Sequence, residues 1–136
     1  MTVRIIFVPS LPEIALSPLR LECQHLDGGV LITVIGEVDI TNAAQLDTYI
    51  RQQMLPGRPV VLDLGRLTFM DSTGLQVLAD VHVTLREQGT ALHLTDVHGI
   101  PARALQITGL WSFLNIHSSA GEVILRDLSN QQAPPT

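Results

Sequence analysis

The chain has 136 residues, 46% hydrophobic and 15% charged, with a formal net charge of −5. That length suits one domain with a worthwhile core, and that composition is too apolar and too uncharged for a disordered chain. Lys and Arg nowhere cluster, so the electrostatic footprint of a nucleic-acid binder is missing. The low charged fraction leaves two readings open: a surface reserved for a partner, or an unusually large core.

Cys23 is the single cysteine, so no disulfide closes within the chain and nothing indicates an oxidising compartment. The longest apolar stretch, residues 30–35, is interrupted by Thr33 and is far too short to span a bilayer. The leader MTVRIIFVPSLPEIALSP is broken by Pro9, Pro12, Glu13 and Pro18, which argues against a signal peptide. Residues 1–18 are therefore expected to be an extension or a stray strand, and the protein to be cytoplasmic with no membrane partner.

Leu19, Leu21 and Cys23 alternate with Arg20, Glu22 and Gln24, the period of a half-buried strand. Asp27-Gly28-Gly29 offers a tight turn, and VLITVIG follows as the second arm of an antiparallel hairpin. Thr41 is placed to cap a first helix carrying Ala43, Leu46, Ile50 and Met54, which Pro56-Gly57 ends. PVVLDL reads as a central strand covered on both faces. Asp63, lying in that apolar run, needs a hydrogen-bond partner.

After Asp71-Ser72-Thr73-Gly74 comes a second helix bearing Leu75, Leu78, Ala79, Val81 and Leu85, up to Gly89. Thr73 and Gln76 have capping-box spacing, which starts the helix within this tetrapeptide. ALHLTDV is a fourth strand. Pro101 opens a third helix, and Gly109 closes it in a left-handed conformation. A short strand over residues 114–117 and a helix over 121–128 complete the fold. SNQQAPPT, residues 129–136, reads as a disordered tail. The expected architecture is α/β with order β-β-α-β-α-β-α-β-α: a mixed, mostly parallel sheet with helices packed on it.

Two segments resemble the STAS family (sulfate transporter and anti-sigma-factor antagonist). One is Gly36-Glu37-Val38-Asp39 with Thr41 and Ala44-Gln45-Leu46. The other is Val61-Leu62-Asp63-Leu64 with Phe69-Met70-Asp71-Ser72-Thr73-Gly74-Leu75 and Val77-Leu78. Thr108-Gly109-Leu110 matches more weakly. The resemblance implies a STAS domain over residues 19–128, of the anti-sigma factor antagonist type and not an enzyme. It makes Ser72 the phosphate acceptor, with Asp39, Asp71, Thr73 and Gly74 binding the partner or supporting the acceptor. It further implies an anti-sigma factor that is also a serine kinase as partner, and a serine phosphatase that resets the cycle. No cofactor is implied, and a weak homodimer is left open.

Each of these residues has a plainer reading. Ser72, Thr73 and Asp71 are all residue types that cap helices. Asp39 either caps the first helix or ties down the loop after the second strand. Gly74 suits close packing at a helix start. His25, His82, His93, His98 and His117 are scattered without ligand spacing, so no metal site is expected, and His82 falls on an apolar helix face. Trp111 is either buried or part of a contact surface. A hydrolase reading of Ser72 fails because Met70 stands where a nucleophile elbow needs Gly. A STAS domain that does not switch, serving as scaffold or transporter accessory subunit, is the alternative function.

Overall fold

The computed structural model describes residues 19–124. The leader at 1–18, the tail at 129–136 and the end of the last helix expected at 121–128 lie outside or partly outside these residues. Strand β1 (Arg20–Leu26) and strand β2 (Gly29–Val38) form the antiparallel hairpin, turning at Asp27 and Gly28. Helix α1 (Ala43–Gln53), strand β3 (Val60–Met70), helix α2 (Ser72–Glu87) and strand β4 (Leu92–Thr95) follow. Then come helix α3 (Gly99–Thr108), the short helix α4 (Leu110–Phe113), strand β5 (Asn115–His117) and helix α5 (Ala120–Val123).

The sheet runs β1-β2-β3-β4-β5, with only the β1–β2 pair antiparallel. β3 is central, as its apolar run requires. Its alternate residues Val60, Leu62 and Leu64 enter the main core beneath α1, α2 and α3, alongside Leu46, Ile50, Leu78, Leu85 and Leu105. Val61 points the other way and packs with Val123 of α5. Asp63 finds its partner locally: its Oδ1 accepts the Gly65 N–H at 2.9 Å.

Four details differ from the sequence expectations. β3 continues past Leu64 to Met70, with two register shifts against β2 that leave extra β3 residues. The N-cap of α1 is Asn42, one residue later, and the Thr41 hydroxyl donates to Asp39. No capping box forms on α2: Asp71 caps it, and Gln76 donates to Asp80. α4 is an unforeseen extra helix, started by Gly109, whose φ of 82° closes α3 in the left-handed region. Pro101 sits third in α3, still within the first turn, where its missing N–H leaves no bond unmade. Among the described residues no helix is long and apolar enough to cross a membrane.

Candidate functional site

β2 and β3 are parallel and pair Val38 with Met70, so the next residues, Asp39 and Asp71, leave the sheet side by side. The Asp71 N–H donates to the Val38 carbonyl at 3.1 Å, which ties the two exits together. Each aspartate then folds over its own loop in the same way. Asp39 Oδ1 accepts the N–H of Thr41 at 2.9 Å and also its hydroxyl. Asp71 Oδ1 accepts the N–H of Thr73 at 2.9 Å and also its hydroxyl. The residue between is Ile40 in one loop and Ser72 in the other.

The first loop is fastened further by Asn42, whose Nδ2 donates to the Glu37 carbonyl and whose Oδ1 accepts the Asp39 N–H. The Asp39 carbonyl accepts from the N–H groups of Asn42 and Ala43. Asp39 thus ties down the loop, one of its two plain readings. Ile40 stands out of this rigid loop with 77% of its surface exposed.

Ser72 is the first residue of α2 and is exposed. Its hydroxyl takes no part in the hydrogen bonds that fix Asp71 and Thr73. A group on that oxygen lies at the positive dipole end of a 16-residue helix. The Thr73 hydroxyl first, then backbone N–H groups of Thr73, Gly74 and Ile40, hold the Asp71 carboxyl below its ordinary pKa, against the opposing effect of burial, which is second in size only to the hydroxyl's. Thr73 is bound up in capping, which is its structural reading.

Gly74 lets α2 sit close to the strand ends. A Cβ there would lie 2.6 Å from Met70 Cγ and 2.8 Å from Val38 Cγ1. The site therefore brings Asp39, Asp71, Ser72, Thr73 and Gly74 to one end of the sheet. Sequence reasoning missed Ile40, although an apolar residue between the two polar residues of Asp39-Ile40-Thr41 was visible as an anomaly.

The histidines are less scattered than the sequence suggested. β4 and β5 pair Thr95 with His117, and this brings His93 Nδ1 to 2.9 Å from His117 Nε2. Among the described residues no group of three or more His, Cys, Asp or Glu side chains is arranged to hold a metal ion. Trp111 is half-buried against the main core.

The STAS domain family model matches residues 20–123. The chain belongs to the STAS domain family. BtrV of Bordetella bronchiseptica, a candidate anti-sigma factor antagonist, is 32% identical to this STAS domain over 102 residues, covering 74% of this chain and 88% of BtrV. An anti-sigma-B factor antagonist of Listeria monocytogenes is 30% identical over 103 residues, covering 75% of this chain and 87% of its own. Among solved structures, the anti-sigma factor antagonist SpoIIAA in its unphosphorylated form superposes with a TM-score of 0.63 at 20% identity, over 79% of this chain and 95% of its own. That last likeness shows the shared fold: a mixed, mostly parallel five-stranded sheet with helices packed on it.

Proposed function

We propose that this STAS domain is a cytoplasmic anti-sigma factor antagonist, a protein switch without enzymatic activity. Its unmodified form binds an anti-sigma factor that is also a serine kinase, and so frees a sigma factor. Phosphorylation of Ser72 releases the complex, and a serine phosphatase restores the binding form. The reading is supported by relatives that are matched over most of their own length and are named as antagonists. The observation that carries it is the free, exposed Ser72 hydroxyl at the start of α2, beside a pinned, outstanding Ile40.

The electrostatics suit a switch. A phosphate adds about −1.5 to −2 charges and several acceptor oxygens, and a helix start tolerates them. A partner docked over Ile40 and Ser72 would bury that charge next to Asp71 and Asp39. Mispaired buried charge at an interface costs about 2–5 kcal/mol, roughly 30-fold to several-thousand-fold in affinity. Binding is lost while the fold stays. Ile40 supplies the apolar anchor of the same surface, held in its bound shape before docking.

Incubation with the cognate kinase and ATP, followed by mass-spectrometric mapping, tests the assignment: phosphate on Ser72 supports it, and phosphate elsewhere with Ser72 untouched refutes it. A hydrolase role for Ser72 has no support in the geometry, since no imidazole is hydrogen-bonded to it among the described residues. A non-switching scaffold or transporter accessory subunit would leave the free Ser72 hydroxyl without a purpose.

A further inference from the structure

His82 lies inside the molecule. It is 3% exposed, and among the described residues neither Nδ1 nor Nε2 has a hydrogen-bond partner. A neutral imidazole still carries one N–H and one acceptor nitrogen, and leaving a buried polar group unpaired costs about 1–3 kcal/mol. The ring contact it does make is with α4: the His82 and Phe113 rings meet edge to face, centroids 4.6 Å apart and planes at 68°. α4 is four residues long, with the left-handed Gly109 before it and extended Leu114 after it. Phe113 remains 44% exposed, while Leu110 and Trp111 of the same helix pack against the main core.

The charges around His82 do nothing to stabilise a proton on it. On α2 itself, Arg86 stands one turn further on and repels an imidazolium. α4, with the sequence Leu-Trp-Ser-Phe, carries no ionisable side chain. From α1, Arg51 reaches α2 at Thr84 Oγ1 and pairs with Asp47. Thr84 lies about 200° around the helix from His82, on the far side. From β4, His93 is engaged with His117, and from β3 the Asp63 carboxylate accepts from Gly65. Burial first, and Arg86 second, hold the His82 pKa below the ordinary imidazole value.

We propose that His82 is a proton-operated latch on α4. The neutral ring packs against Phe113 and keeps α4 closed. The protonated ring needs water, and α4 swings off α2 to admit it, turning about Gly109 and Leu114, exposing Phe113 further and drawing Trp111 off the core. The sign follows from linkage. The closed form binds the proton more weakly than a solvated histidine does, so acid favours the open form. The open-to-closed ratio climbs as pH falls below about 6.5, by up to roughly tenfold per pH unit, until the closed ring itself titrates. At neutral pH the latch is shut. This inference stands apart from the role of Ser72.

Trp111 is the single tryptophan and belongs to α4 itself, so its emission reports the latch. Lowering pH from about 7.5 to about 5.5, across the ordinary histidine range, shifts the emission to the red while far-UV ellipticity holds, and H82F removes the shift. An emission constant over that range, a shift that survives in H82F, or ellipticity lost in step with the emission each overturns the latch. Should H82F not fold, the wild-type chain carries the test: the His82 Cε1–H resonance and the Trp111 emission titrate with one midpoint, and two distinct midpoints overturn the proposal.

Discussion

Asp39 and Asp71 end adjacent parallel strands and hold their loops alike, each taking the N–H and hydroxyl of the threonine two residues on. The Asp71 N–H, bonded to the Val38 carbonyl, locks one loop to the other. The two middle residues, Ile40 and Ser72, are thereby presented together on a stiff frame. One offers apolar surface and the other a hydroxyl that can be charged. A docking partner that needs the first is exposed to the state of the second.

Substitution of Ser72 separates charge from shape. Ser72→Ala keeps partner binding and blocks phosphate incorporation. Ser72→Glu weakens binding by tenfold or more, roughly 1.4 kcal/mol, since a single carboxylate carries less charge than a phosphate. Titration calorimetry against the proposed kinase partner reads the first and third outcomes, and incorporation of labelled phosphate reads the second.

Ile40 is expected to matter for docking and hardly at all for folding. With 77% of its surface exposed, Ile40→Ala changes unfolding free energy by no more than about 0.5 kcal/mol. The same change lowers partner affinity by roughly tenfold if Ile40 is an anchor. Urea unfolding and calorimetry on one preparation check both halves.

Gly74→Ala must displace Val38 or Met70, whose side-chain atoms lie 2.8 and 2.6 Å from the new Cβ. Overpacking of this kind costs about 1–3 kcal/mol. The lowered urea midpoint should come with weaker partner binding, because the displaced strand ends carry both loops.

Asp71→Ala removes the cap of α2 and costs about 0.5–2 kcal/mol at neutral pH. The cost is pH-dependent with a definite sign. The folded carboxyl is held below its ordinary value, so its stabilisation is complete above the unfolded carboxyl pKa of about 3.9 and is lost as pH falls through the folded value. Wild type and variant should differ by a constant amount from about pH 7 to pH 5, and the difference should shrink as pH falls below about 3.9, as followed by urea unfolding.

Local periodicity carried most of the fold. The alternation around Leu21, the helical spacing of Leu46 and Ile50, and the glycine stop at Gly109 each act over a few residues, and each is where the sequence places it. Asp63 also announced its need for a partner. The site was legible as a segment, Met70 to Gly74, but not as an arrangement. The twinning of Asp39 with Asp71 depends on the register of β2 against β3, including two shifts that no local pattern reveals. The meeting of His93 with His117 likewise depends on two strands 20 residues apart in the chain finding a particular register. Thr41 and Thr73 each give their N–H and hydroxyl to the aspartate two residues before, and the N-cap positions fall to Asn42 and Asp71.

The central claim is that a dianion on Ser72 abolishes docking without disturbing the fold. The most direct measurement is the affinity of stoichiometrically Ser72-phosphorylated protein for the proposed kinase partner, beside that of the unmodified protein, with far-UV spectra of both. The account predicts superimposable spectra and an affinity lower by roughly 30-fold or more. Equal affinities for the two forms would contradict it.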